Sequence, residues 1–280
     1  MTDMAASRAG GRGSQRVWSL GALFASPALL FAAFVVVPLL ALALRGWQDG
    51  QVADRLTSSF VLHALQLSFV TSTLSLAIAL VFGIPAAYLL ARARFPGYRL
   101  LTIIVELPMV LPPTVAGVAL LVAFGRRSFI GSTLDEAGIS LAFSTTAVVL
   151  AQLFVSAPFL VRSLQAGFEA IDPTFEDVSR TLGISELRTF FRVTLPLARP
   201  ALLSGAVLCW TRALSELGAT LIFAGNFEGR TQTMPLAIIT AFESNAGLSG
   251  AIALSLVLLV VALVLLVAAR FVTRGHRGAL

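Results

Sequence analysis

Long uncharged apolar runs alternate with short polar stretches, and six of the runs match a bilayer crossing. A spanning helix needs about 20 apolar residues. The runs are roughly 17–44, 61–91, 100–124, 141–161, 197–224 and 248–269. The second exceeds one span and starts polar, at His63, Gln66 and Ser68. It is expected to tilt or to begin outside the hydrocarbon. The first follows Arg8, Arg12 and Arg16 as a signal peptide would, but it is longer than the 7–15 residues of a cleavable apolar region. It is therefore read as a retained helix, with the cleavage-like Ala41-Leu42-Ala43 as the competing reading.

Prolines punctuate these runs at Pro27, Pro38, Pro85, Pro108, Pro112, Pro113, Pro158 and Pro200. Each removes a backbone hydrogen bond and can kink a helix. Isolated prolines read as packing kinks. The cluster Pro108, Pro112, Pro113 points to a broken helix, which membranes tolerate where protein or a water-filled cavity meets the freed carbonyls.

Composition turns this pattern into a class. The 280 residues are 57% hydrophobic and 12% charged, with mean hydropathy +0.90. Soluble domains carry about 25% charged residues, and disorder needs low hydrophobicity. The chain reads as an all-α membrane protein with six transmembrane helices.

A net charge of +6 raises nucleic-acid binding, but the placement of the charge removes it. Every basic residue except the two histidines is arginine. Arginines cluster in the N-terminal tail, after the second run (Arg92, Arg94, Arg99), after the fourth (Arg162, Arg180, Arg188, Arg192, Arg199) and at the C-terminus (Arg270, Arg274, Arg277). The opposite side holds only Arg45, Arg55, Arg126, Arg127 and Arg230. The positive-inside rule puts both termini in the cytoplasm. A chain without lysine has no P-loop, which needs Lys at the phosphates. Cys209, His63 and His276 are too few and scattered for a metal site.

The stretch 163–196 is charged yet carries ordered signals. Asp172 suits a cap and Pro173 a first helical position. Phe175, Val178 and Leu182 fall on one face, and Gly183 suits a helix stop. Ser185 can cap a second helix with Leu187, Phe190, Phe191 and Thr194, closing at Pro196. An interfacial hairpin on lipid is one reading. Glu169, Asp172, Glu176, Asp177 and Glu186 argue against an anionic surface and for a protein groove.

Within the fifth run Arg212 and Glu216 are four apart, as on one helix face. A charge at mid-bilayer costs at least about 2.5–3.5 kcal/mol, so the pair marks either a pathway or mutual neutralisation for packing. Ser215, Gly218, Ala219 and Thr220 are small enough for close helix contact. Glu106 is expected to pair with a loop arginine, His63 to be solvated, and Cys209 to be a small core residue. Residues 225–250 form a polar loop, with a short helix expected over Met234–Glu243.

These segments carry a resemblance. Glu176-Asp177-Val178-Ser179-Arg180-Thr181-Leu182-Gly183, with Phe190-Phe191-Arg192-Val193-Thr194-Leu195-Pro196, resembles the EAA loop of type I ABC importer permeases. It departs at Asp177-Val178, where two alanines are usual. Leu107-Pro108-Met109-Val110-Leu111-Pro112-Pro113 with Gly117 is similar to a signature of molybdate and sulfate permeases. The molybdate branch is resembled by Ala142-Phe143-Ser144-Thr145 through Ser156, and by Arg212 to Thr220, continuing to Leu236. Here Leu217 replaces a usual phenylalanine and Ile239 a common tyrosine. The likeness covers about residues 61–270.

It implies a type I importer permease fold over 61–272, an added helix with its tail over 1–60, and a tail at 273–280. It implies a homodimer in the cell membrane, two ATPase subunits holding ATP and magnesium, and an extracytoplasmic oxyanion-binding protein. No cofactor and no catalytic residue would belong to this chain. Glu176, Asp177, Arg180, Leu182, Gly183, Leu195 and Pro196 would couple to the ATPase. Arg212, Ser215, Glu216, Gly218 and Thr220 would line a pathway or gate. Asn226, Arg230, Thr231 and Thr233 would dock the binding protein. The expected cargo is molybdate, with tungstate and sulfate or thiosulfate as alternatives. An intramembrane hydrolase would need a base beside a serine, and neither histidine offers one. A secondary transporter would be expected to show internal repeats, and none is evident.

Overall fold

The computed structural model describes residues 10–48, 58–93 and 96–274, where every regular element is a helix. Arg8, Arg55, Arg94, His276 and Arg277 lie outside the described residues, as do the side chains of Arg12, Arg16, Arg270 and Arg274. Residues 1–52 and 53–280 form two compact units. The first contains α1 (Gly10–Gln48), with Pro27 and Pro38 inside it. Its Phe24–Gln48 portion has mean hydropathy 2.6 and is long enough to span a membrane.

The second unit is built from α2 (Ser59–Arg92), α3 (Tyr98–Val110), α4 (Pro113–Phe124), α5 (Phe129–Glu136) and α6 (Thr145–Glu169). It continues with α7 (Thr174–Thr181), α8 (Glu186–Leu197), α9 (Arg199–Leu214), α10 (Gly218–Ala224), α11 (Met234–Glu243) and α12 (Gly247–Arg274). α2, α6 and α9 make the centre. The buried stripe of α2 is Val61, Ala64, Ser68, Thr71, Ser72, Ser75, Ala79, Gly83, Ala87 and Leu90, spaced three to four apart except at the adjacent Thr71 and Ser72, and mostly small. Small residues let backbones approach, which is how helices associate where lipid removes the hydrophobic drive. The Ser75 hydroxyl uses that closeness and donates to the Val149 carbonyl of α6 at 2.9 Å.

The run 100–124 is not one rod. α3 and α4 meet at 118°. A residue before proline is pushed out of the helical region, and two prolines in a row impose this twice. Leu111 and Pro112 both have ψ 135°. Pro113 then starts α4, where its missing N–H costs nothing. Pro85 and Pro158, each alone, sit inside unbroken helices. Behind the bend lies an apolar crevice of about 310 Å³ that includes Pro108, Leu120, Phe154 and Pro158 in its lining.

The run 197–224 is also interrupted. α8 and α9 bend by 73° at Ala198. α9 ends at Leu214 and a new helix starts at Gly218. The expectation that Arg212 and Glu216 share a helix face is therefore corrected: Glu216 stands in the break. Three described helices are long and apolar enough to cross in the second unit, and the two bent pairs add two more if each is one crossing.

Candidate functional site

The two interruptions lie against each other. α4 and α10 cross so closely that a Cβ on Gly218 would stand 2.8 Å from Pro113 Cβ. One on Gly117 would stand 2.8 Å from Ile222 Cβ and 3.0 Å from the Ala219 Cα and carbonyl oxygen. Glycine at both positions is what allows the crossing. Glu216, 1% exposed, closes the break. Its Oε1 accepts the Ala219 N–H at 2.8 Å, which satisfies one orphan donor of α10. Its Oε2 stands 2.6 Å from Arg212 Nη1 without an aligned hydrogen bond, so the contact is one of charge. The Arg212 side chain keeps 26% of its surface open. Ser215 is exposed, whereas Thr220 is fully buried with a hydroxyl that has no protein partner.

At one end of the bundle α7 and α8 form the ordered loop. The Asp172 carboxylate accepts the Thr174 hydroxyl at 2.7 Å and the Thr174 N–H at 2.9 Å. Those bonds, the hydroxyl first, hold its pKa below the ordinary carboxylate value. The cap therefore assists α7 at neutral pH and is lost as acid protonates it. Gly183 has φ +74°, the left-handed turn that glycine adopts without Cβ strain. Next, Phe190–Thr194 widens into a π-helical turn before Pro196. Proline cannot supply the N–H of a regular turn and crowds the carbonyl four residues back. A widened turn accommodates both.

The loop is packed polar side inward. Glu176, Ser179, Thr189 and Thr194 are buried, and the Ser179 and Thr189 hydroxyls share a 2.7 Å hydrogen bond. Phe175, Val178, Leu182, Leu187 and Phe191 face outward, each more than half exposed. Asp177 and Arg180 are also outside and pair at 3.1 Å. Among the residues expected to couple, Glu176 alone is turned fully into the bundle. Leu195 is half-buried and Pro196 exposed.

At the opposite end, residues 225–243 fold on themselves. Asn226 donates to the Thr240 hydroxyl at 2.8 Å, and Gln232 donates to Asn226 Oδ1 at 2.9 Å. Thr231 accepts the Phe227 N–H and donates to the Gly225 carbonyl. Thr231 and Thr233 are fully buried, so they shape this segment from inside, and Arg230 is the exposed member of the set. α11 occupies Met234–Glu243, as the sequence suggests. Phe143 has φ +59°, a strained backbone for a bulky side chain. It stacks edge-on with Phe227 at 6.5 Å.

Glu106 pairs with Arg162 at 3.0 Å, the arginine lying on α6 rather than in a loop. His63 is exposed, and Cys209 is buried against Ser156. Among the described residues no group of three His, Cys, Asp or Glu could hold a metal. Arg92, Tyr88 and Thr194, partners of Glu176, went unmarked in the sequence as site residues. Arg92 reads there only as one of a run of topology charges.

Residues 79–278 match the family described as "Binding-protein-dependent transport system inner membrane component". The chain is 46% identical over 237 residues to the molybdenum transport system permease protein ModB of Mycobacterium tuberculosis, covering 84% of this chain and 88% of that one. Identity to ModB of Escherichia coli is 42% over 216 residues, covering 77% and 94%. Among solved structures, a chain of a bacterial alginate ABC transporter in complex with an alginate pentasaccharide-bound periplasmic protein aligns with TM-score 0.74 at 18% identity. That alignment covers 94% of this chain and 97% of the other, and it shows the fold alone. Two broken helices meeting at paired glycines, and an ordered loop with its polar face inward, thus sit on an importer permease fold: the chain belongs to the family of binding-protein-dependent transport system inner membrane components, multi-pass proteins of the cell membrane.

Proposed function

We propose that this chain is the membrane subunit of an ATP-driven importer that brings molybdate into the cell. The observation that carries the cargo is the high identity to permeases named for molybdenum transport. Two copies form the path. Two ATPase subunits hold ATP and magnesium, and an extracytoplasmic oxyanion-binding protein delivers cargo. The end bearing α7 and α8, rich in arginine, faces the cytoplasm. The outward apolar face of Phe175, Val178, Leu182, Leu187 and Phe191 supports an ATPase groove as its cover, because helix-in-groove docking uses such a face. ATP closing the ATPase pair draws the loops together and turns the path outward; hydrolysis reverses this. The α4–α10 crossing is the gate. Residues 225–243 meet the binding protein, Arg230 directly, with Asn226, Thr231 and Thr233 holding the segment's shape. No cofactor is bound by this chain.

Cells with and without the chain, at low external oxyanion, test this by elemental analysis. Molybdenum accumulation is expected to fall without it, tungstate to compete, and sulfur to stay unchanged. Loss of sulfur alone would move the cargo to sulfate.

Gly183 gives a second test. No atom lies within 4 Å of a Cβ there, so backbone strain is the whole cost of a side chain. A β-branched residue in the left-handed region costs about 1–2 kcal/mol. Gly183→Val is expected to reach the membrane in normal amount with uptake reduced several-fold. Gly183→Asn, which tolerates that region, should keep most uptake. Equal uptake in both variants would remove the turn from the coupling element.

A further inference from the structure

An ion pair between a buried carboxylate and a partly open arginine ties the α7–α8 loop to the end of α2. Glu176 is 5% exposed. Its Oε1 accepts from Arg92 Nε at 3.3 Å, from Arg92 Nη2 at 3.2 Å and from the Thr194 hydroxyl at 3.0 Å. Its Oε2 faces the Tyr88 hydroxyl at 3.5 Å. Arg92 Nη2 also donates to the Ile171 carbonyl at 3.1 Å. The pair thus gathers α2, the turn after α6, α7 and α8. The Tyr88 ring meets Phe168 at 5.5 Å and Phe190 at 5.0 Å, which places an aromatic cluster beside the pair.

The other end of α2 is held as well. Val61 and Ala64 pack with Met234, Ala237 and Ala241 of α11. The Met234 N–H donates to the Ser68 hydroxyl at 2.7 Å, both groups buried. α2 runs unbroken for 34 residues, about 51 Å at 1.5 Å per residue, and both attachments lie within it, near its two ends. Its small-residue stripe holds it close to α6.

We propose that Glu176 is a positioning residue that clamps the loop to α2, so that α2 carries loop displacement as one rod to α11 at the opposite membrane face. Its oxygens are engaged from inside the bundle, so it makes no contact with the ATPase. The exposed apolar face does that. A rod with a loose joint would let the loop follow the ATPase while α11 stayed behind. ATP would then be hydrolysed with little transport. This inference rests on reading the loop as the ATPase-docking element.

The test uses the assembled transporter, with its ATPase subunits and binding protein, in lipid vesicles. Hydrolysis and molybdate uptake are measured separately for Glu176→Gln, Arg92→Gln and the double variant. Each single variant is expected to retain the ATPase on purification and hydrolyse within about twofold of normal, while uptake per ATP falls about tenfold. The double variant should be no worse than either single, since both break one pairing. Exchange of the charges, Arg92→Glu with Glu176→Arg, should recover part of the ratio. An unchanged ratio in Glu176→Gln overturns the proposal, as do additive single effects. Loss of ATPase on purification of Glu176→Gln would make the residue a docking contact and also overturn it. Should Glu176→Gln fail to accumulate, Thr194→Val removes one bond to the same oxygen. It should lower the ratio about two- to threefold, and no change there overturns the clamp. A normal chain that captures no ATPase sinks the functional reading itself, a result visible before any variant is compared.

Discussion

Arg212→Ala is expected to be the more damaging half of its pair, costing about 3–5 kcal/mol where Glu216→Gln costs about 1–2 kcal/mol. The asymmetry follows from exposure. Glu216 is 1% exposed and Arg212 keeps 26% of its side chain open. Without Arg212 a carboxylate is left buried with only the Ala219 N–H on one oxygen. Without the Glu216 charge, Arg212 can still hydrate, and the amide oxygen that Glu216→Gln introduces can still cap α10. Against a typical total stability of about 5–15 kcal/mol, the first loss alone threatens the fold. Thermal unfolding in detergent and the amount of chain in membranes would read the difference. The combination Arg212→Met with Glu216→Gln removes both charges and keeps the cap, so much of the stability should return. Uptake is expected to stay low in that variant, because the partly open cation at the break would be gone. Uptake returning with stability would assign the pair to packing alone. Equal damage from the two single variants would contradict the burial argument.

What was legible in the sequence divides along a physical line. Local chemistry was readable. The six apolar runs and the short helix at Met234–Glu243 follow from contiguous hydropathy, and the cap at Asp172, the left-handed Gly183 and the break at Pro112-Pro113 follow from one or two neighbouring residues. The second break was not readable. Residues 215–217 contain neither glycine nor proline, and Arg212 with Glu216 imitates a helical i, i+4 pair. The helix stops there because Glu216 caps Ala219 and because Pro113, about a hundred residues away in sequence, sits against Gly218. Those are tertiary causes.

The loop teaches the same lesson about faces. Periodicity separates the Phe175, Val178, Leu182 face from the Glu176, Ser179 face. It does not say which is inside. Burying apolar groups is the usual default, yet here the polar face is turned in, because Arg92, Tyr88 and Thr194 wait there with donors. Thr231 and Thr233 repeat the point. Polar residues in a connecting segment read as surface, but hydrogen bonds to Phe227 and Gly225 hold Thr231 inside, and Thr233 is buried beside it with a hydroxyl that has no protein partner.

Gly218→Val is expected to lower uptake by more than tenfold and to destabilise the chain by about 1–3 kcal/mol or somewhat more. The added Cβ would meet Pro113 Cβ at 2.8 Å and the Pro113 and Thr114 backbone at 3.3 Å. A proline ring fixed at the start of α4 has no rotamer to yield. Gly117→Ala tests the same crossing with a single methyl. Its neighbours at 3.0 Å are the Cα and carbonyl oxygen of Ala219, which are backbone. Shortening Ile222 would clear only one of the contacts, so Gly117→Ala with Ile222→Ala should remain impaired, and recovery in that pair would show that the backbones are not in contact there. Gly138→Asn is the matched control. It keeps the left-handed turn, has no atom within 4 Å of the new Cβ, and should leave uptake near normal. If α4 and α10 form the gate, holding them apart leaves the path unable to close. Hydrolysis by the assembled complex should then continue while cargo equilibrates instead of accumulating. Accumulation at the normal level in Gly218→Val would place the gate elsewhere in the fold.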